Sequence, residues 1–209
     1  AAETNFIREA EENTQEHINT YINLISSFEG RYICSDLFKE TFSEYIKNID
    51  TRKKYAEVVH NSAAVLANEM FHQKIESKEI KKCIFLSGVP GAGKSFLVQS
   101  LLLAGAIDKD TMLYEGDISS SSIFEKMDTV IKNGVELYVI IVNPTLELAQ
   151  RNAINRHFEI GRGASSQTMA RIMSKIPIAL KEIRKRYPDI ELGIYHKKTN
   201  YDIEIFKGF

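Results

Sequence analysis

The chain has 209 residues, enough for one ordinary domain with an added helical piece. Hydrophobic residues make up 44% and charged residues 26%, with a formal net charge of −1, which excludes a disordered or fibrous chain. No apolar run approaches the roughly 20 residues needed to cross a bilayer, so no membrane span is expected.

In chain order, residues 4–28 carry Phe6, Ile7, Ala10, Ile18, Tyr21, Ile22 and Ile25 at near-helical spacing, which predicts one or two helices. Gly30 breaks the pattern, and the apolar run 31–36 reads as a buried strand ending in Asp36. Helices are expected at 37–45 and 52–72, then a charged loop or ragged helix end at 74–82. A strand at 83–88 leads through a Gly-rich turn into an apolar helix at 94–104. A strand at 111–116 and a helix at 122–132 follow, the helix stopped by Asn133-Gly134. Residues 135–142 form the clearest buried strand. Asn143-Pro144-Thr145 then opens a helical region ending near Tyr187, interrupted by Gly161-Arg162-Gly163. Pro188 ends it, 190–196 is a last core strand, and 203–206 adds an edge strand. Short buried strands alternating with helices predict an α/β fold, a parallel sheet with helices on both faces.

The charges are unevenly spread. Residues 1–29 carry six acids against one base, Arg8, whereas 151–209 carry twelve Lys and Arg against six Asp and Glu. Solvated helix faces account for either block, and the basic end would also suit a phosphate-bearing ligand. Cys34 and Cys83 sit in separate apolar segments, which points to buried thiols in a reducing, cytoplasmic setting. Residues 1–10 show no basic region ahead of an apolar core, so no signal peptide is expected. The five histidines form no zinc pattern.

The strongest motif is Gly88-Val89-Pro90-Gly91-Ala92-Gly93-Lys94-Ser95, a full match to GxxxxGK[ST] between a strand and a helix. Its glycines let successive backbone N–H groups curl toward phosphate oxygens, and the following helix N-terminus adds a positive dipole end. Lys94 would reach the β- and γ-phosphates of ATP and the Ser95 hydroxyl would ligate Mg²⁺, with Phe96 completing the cofactor-binding run. No NKxD motif for guanine occurs, and a small-molecule kinase fits better than a GTPase or a motor. Such an enzyme needs a carboxylate base and arginines on the transferred group. Asp36 and the Glu115-Gly116-Asp117 group stand at strand ends, where ligands of open α/β sheets collect, although helix capping also explains such acids. Arg156 and Arg162 flank the break in the long helical region, and a mobile loop around Arg162 can bring a guanidinium over phosphates.

These pieces together resemble the zeta-toxin family of P-loop kinases. That family is similar in fold to polynucleotide kinase and chloramphenicol phosphotransferase, and its best-known members phosphorylate UDP-N-acetylglucosamine. Leu113-Tyr114-Glu115-Gly116-Asp117 resembles the family's strand ending in Glu-Gly-Thr, with Asp117 in place of threonine. Gly161-Arg162-Gly163-Ala164-Ser165 resembles its arginine loop, and Lys175-Ile176-Pro177 fits the family's Leu-Pro beyond it. Ser35-Asp36-Leu37-Phe38-Lys39 resembles its Asp-Thr-Phe-Lys segment, and Glu69 stands where the family keeps a substrate-binding glutamate relative to that Asp. In the family this unit follows the P-loop helix. Here it precedes the P-loop strand, so the resemblance implies a circularly permuted core.

The expected organisation is an N-terminal helical segment at 1–30 and a P-loop kinase domain at 31–209. Within that domain, 31–73 carries the permuted unit and 83–198 the nucleotide-binding core. The resemblance implies that Asp36 is the catalytic base, that Arg156 and Arg162 neutralise charge on the phosphoryl group, and that Glu69 and Glu115 bind the acceptor, with Asp117 beside them. A further carboxylate at Asp117 would repel a phosphate-bearing acceptor. It also implies a small helical antitoxin as partner, a role the acidic N-terminal helix would fill internally. The strand ending at Asp36 is expected directly beside the P-loop strand. The alternatives are a polynucleotide or nucleoside kinase, and a nucleotide-binding module without turnover.

Overall fold

A computed structural model describes residues 2–197 and 204–207. Two helices open the chain, α1 (Ala2–Glu12) and α2 (Thr14–Ile22), followed by β1 (Tyr32–Cys34) and α3 (Ser35–Phe38). Short helices α4 (Ser43–Ile46) and α5 (Ile49–Tyr55) lead to α6 (His60–Glu76) and the P-loop strand β2 (Lys82–Gly88). Then come α7 (Lys94–Leu103), β3 (Thr111–Glu115), α8 (Ser121–Lys132) and β4 (Glu136–Pro144). The chain continues through α9 (Leu146–Ile160), α10 (Ser166–Arg186), β5 (Glu191–Lys197) and β6 (Glu204–Lys207). Residue 203, where the edge strand was expected to begin, and Lys198, the last residue of the expected nucleotide-binding core, lie outside the described residues.

The six-stranded sheet has the order β1-β3-β2-β4-β5-β6. The first five strands are parallel and β6 is antiparallel. The fold is therefore α/β, as the alternation of strands and helices predicts. Ile33, Phe85, Met112 and Val139 face one side, packed with residues of α1, α2, α6, α8 and α10. Cys34, Leu86, Leu113 and Val142 face the other, packed with α7, α9 and the start of α10. Helices cover both faces because the strands, buried on both sides, leave neither face for water. α6 buries Ala63, Leu66, Ala67, Met70 and Phe71, and α10 buries Met169, Ile172, Ile176, Ala179 and Ile183, the i, i+3, i+4 rows of an amphipathic helix.

The strand ending at Asp36 is not directly beside the P-loop strand. β1 pairs with β3, and β3 separates it from the P-loop strand β2. The register still brings the strand ends level, with Cys34 opposite Glu115 and Glu115 opposite Leu86. Parallel strands put all their C-terminal ends at one edge, so β1 reaches the ligand side without touching β2. Asp36 itself lies past the strand, in the first turn of α3. The helix expected at 52–72 is two helices, α5 and α6, and α6 runs on to Glu76.

The N-terminal helices share the core of the sheet. Phe6 meets Phe42 and Tyr55 edge-on, with ring centroids 5.6 and 5.5 Å apart. The fully buried Tyr21 stacks on Phe38 at 3.8 Å. Its hydroxyl donates to the Tyr32 carbonyl at 2.8 Å and accepts from the Cys34 N–H at 3.0 Å. Those two backbone groups lie on the free side of the edge strand β1, where no further strand supplies partners. Tyr21 thus stands in for a neighbouring strand and fixes the segment that carries Asp36.

Candidate active site

β2 ends in a loop that turns straight into α7. Gly91 has φ of +78°, a conformation that side chains resist, and a Cβ there would lie 2.3 Å from the Ala149 carbonyl of α9. Asn152 closes the same contact by donating its side-chain N–H to the Gly91 carbonyl at 2.9 Å. Gly91→Ala therefore combines left-handed strain with a backbone clash, and is expected to cost about 2–4 kcal/mol of stability in urea unfolding. An unchanged midpoint would contradict this packing.

Lys94 opens α7 and folds back over the loop. Its ammonium donates to the Gly88 carbonyl at 2.8 Å and the Val89 carbonyl at 3.0 Å, and stands 3.5 Å from a Glu115 oxygen. The other Glu115 oxygen accepts from the Tyr32 phenol. Glu115 ends β3, the strand next to β2, which is why its carboxylate reaches the P-loop lysine. Burial, and with it the Glu115 carboxylate, pushes the Tyr32 phenol well above its ordinary range, so it remains a donor. Ser95 is exposed at the mouth of the loop.

Across the cleft, Asp36 sits between two cations. Lys39 Nζ is 3.0 Å from one carboxylate oxygen and Arg162 Nη2 is 3.3 Å from the other. Lys39 also donates to the Ala56 carbonyl at 2.9 Å, which fixes it. Enclosure by protein works to raise the Asp36 pKa, but Lys39 and Arg162 overcome it and hold the carboxyl well below the usual carboxylate range. The side chain still keeps 45% of its surface open to the cleft. Arg162 also lies 3.6 Å from Glu40, which Arg52 grips through both carboxylate oxygens at 2.6 Å. Gly161 ends α9 in the left-handed conformation, turning the chain so that Arg162 points back over α3.

Asp36, Lys94, Glu115 and Arg162 line one cleft of about 550 Å³. Of the residues expected from sequence, it brings together Asp36, Gly91, Ala92, Gly93, Lys94, Ser95, Phe96, Glu115, Arg156 and Arg162. Gly88 and Val89 contribute through the carbonyls that hold Lys94, whereas Pro90 does not line the cleft. Two of the expected acceptor residues lie elsewhere. Glu69 is exposed on α6, where it accepts from Gln73 at 3.0 Å. Asp117 caps the next turn, accepting from the Ser119 N–H at 2.9 Å and the Ser119 hydroxyl at 2.7 Å. Residues that the sequence reading passed over also line the cleft: Cys34, Asn152, Asn155, Glu159 and Lys197. Burial pushes the Cys34 thiol up to about 12, which leaves it protonated. Asn152, Asn155, Arg156 and Glu159 stand at i, i+3, i+4 and i+7 on α9, and that polar stripe was readable as one helix face.

The arrangement can hold a phosphate chain on the loop amides and Lys94, with Arg156 lining the same cleft. Among the described residues, no group of three or more His, Cys, Asp or Glu could hold a metal ion by itself. A nucleotide-bound Mg²⁺ keeps water and phosphate oxygens and takes only one or two oxygen ligands from a protein. Ser95 and Glu115 are oxygen-bearing residues of the cleft beside the loop and Lys94. No family model matches the chain, and no curated protein aligns with it significantly. Among the described residues, no helix is long and apolar enough to cross a membrane.

Proposed function

We propose that the protein is an ATP-dependent kinase built as a circularly permuted zeta-toxin-like core. It would transfer the γ-phosphoryl group to a hydroxyl of a small molecule, with a nucleotide sugar such as UDP-N-acetylglucosamine as the first acceptor to try. One observation carries the reading: residues 91–96 of the P-loop and the Asp36–Arg162 pair, far apart in the sequence, line the same cleft. Its volume suits a small ligand, and the basic C-terminal third keeps polynucleotide kinase as the alternative acceptor class.

In this reading the loop amides and Lys94 bind the phosphates, and Ser95, with Glu115 close by, holds the Mg²⁺ that offsets their charge. Arg156 and Arg162 stabilise charge on the transferred group, and Asp36 orients the acceptor hydroxyl and takes its proton. Acceptor binding falls to Glu115 and the α9 stripe, since Glu69 and Asp117 do not line the cleft. Among the described residues, none of α1 or α2 lines the cleft, so this reading gives the N-terminal helices no part in binding. Two buried free thiols favour a reducing, cytoplasmic setting.

A nucleotide-binding module without turnover is the second reading. It is favoured by the hold of Lys39 and Arg162 on Asp36, which makes that carboxylate a weak proton acceptor. Calorimetric titration with ADP and a non-hydrolysable ATP analogue, with and without Mg²⁺, tests the part common to both. The expected result is saturable binding, tightened by Mg²⁺ for the triphosphate. Absence of binding by either nucleotide would reject both readings.

A further inference from the structure

Lys197 ends β5 on the far side of the P-loop from Asp36. In the strand order, Asp36 follows β1, two positions to one side of β2, and Lys197 ends β5, two positions to the other. The residue is 5% exposed, yet it lines the cleft together with Gly93, Lys94 and Phe96. A Cβ on Gly93 would come within 2.7 Å of its Nζ, so the ammonium lies directly against the loop backbone. The position is rigid. Lys197 pairs with Pro144 in the β4–β5 ladder, and its carbonyl accepts from the Thr145 N–H at 3.1 Å.

What the ammonium lacks is an anion. Among the described residues it forms no hydrogen bond and no ion pair, and its one polar contact is the face of Phe96, 5.3 Å from Nζ to the ring centroid. Of the cleft's carboxylates, Asp36 and Glu115 are engaged by other cations and Glu159 is exposed on α9. A buried cation without a partner is destabilising, and burial alone pulls the Lys197 pKa below its ordinary value. Such a residue is a poor choice for stability and a good one for receiving a charged ligand. It also stands beside the N-terminus of the ten-residue α7, whose free N–H groups and dipole favour the same charge.

The geometry points to Lys197 as a second phosphate-binding lysine, contacting the nucleoside-proximal phosphates of the bound nucleotide. The inference rests on the nucleotide reading above. Lys94 and the Asp36–Arg162 pair serve the transfer end, toward β1 and β3. Lys197 closes the opposite end over Gly93 and Phe96, where the phosphate chain leaves the loop for the nucleoside. ADP should therefore feel Lys197 as much as a triphosphate does, and adenosine should not feel it.

The test is Lys197→Met, which keeps the length of the side chain and removes its charge. Calorimetry on the full chain is run with adenosine, ADP and a non-hydrolysable ATP analogue, together with thermal unfolding without ligand. The expected result is a loss of about tenfold or more in affinity for both ADP and the analogue, the weight of a charge-assisted hydrogen bond. Adenosine binding stays unchanged, and the unfolding temperature stays level or rises, because a buried unpaired cation has become apolar. Unchanged nucleotide affinity in a variant whose parent binds ADP overturns the role of Lys197 alone. So does a loss confined to the triphosphate, or a lower unfolding temperature without loss of affinity. A parent that binds neither ADP nor the analogue overturns the nucleotide reading and this inference with it.

Discussion

Lys94→Ala is expected to reduce phosphoryl transfer by about 10³-fold or more while leaving the fold intact. The Lys94 ammonium touches the Gly88 and Val89 carbonyls and the Glu115 carboxylate, and Lys94 and Glu115 both line the cleft. Removing it exposes those oxygens to water and opens no core cavity. Glu115 keeps the Tyr32 phenol as a donor. The loss falls on the transition state, where charge spreads over the transferred group in a site that screens it poorly. Turnover measured beside a thermal melt reads both halves of the expectation. Full activity in the variant would remove the P-loop from the chemistry, and a collapsed melt would mean that Lys94 serves the fold.

Asp36→Asn separates chemistry from binding. Asn keeps the shape and can still accept from Lys39, but it can neither take a proton nor carry charge. Nothing in the P-loop is altered, so affinity for an ATP analogue should stay within a few-fold of the parent. Transfer should fall by roughly 10²–10⁴, the usual worth of a positioned acid or base. A helix-capping Asp would tolerate the change, since Asn caps about as well. Retained turnover would therefore assign Asp36 to α3 alone.

The same substitution has a signature in stability. Lys39 and Arg162 hold Asp36 ionised in the fold well below the ordinary carboxylate range. Their stabilisation is fully present above about pH 4, where Asp36 is ionised in the unfolded chain too, and fades as pH falls toward the lowered value. The gap between parent and Asp36→Asn in urea unfolding should be widest near neutrality and narrow below about pH 4. A gap that does not change with pH would mean that the two cations do not act on Asp36.

The P-loop was legible because one contiguous motif carries both its backbone geometry and its chemistry. The alternation of buried strands with helices made the α/β class equally plain, since a two-faced sheet needs apolar runs. Asp36 was found through a local pattern, but its strand was misplaced by one position. Strand order is a property of pairing across the chain, and nothing between residues 31 and 88 encodes that β3, arriving later, inserts between β1 and β2. Glu69 was inferred from its distance along the chain to Asp36. The α6 helix turns that position outward, because Leu66, Met70 and Phe71 take the inner face. Lys197 was missed for the opposite reason. A lysine following Tyr195-His196 at a strand end reads as solvated until β5 is seen to carry it against Phe96. Tyr21 gave no signal at all, since a tyrosine on a helix face looks like ordinary core until the bare edge of β1 is placed beside it.

The central claim is that this cleft moves a phosphoryl group onto a small hydroxyl-bearing acceptor. Its most direct measurement is mass spectrometry after incubation of the protein with ATP, Mg²⁺ and a panel of nucleotide sugars, nucleosides and RNA ends. The account predicts that one acceptor class, with the nucleotide sugars first, gains the mass of a single phosphoryl group, and that Lys94→Ala and Asp36→Asn abolish the gain or nearly so. A protein that binds ATP yet leaves every acceptor unmodified would contradict it and leave a nucleotide-binding module in its place.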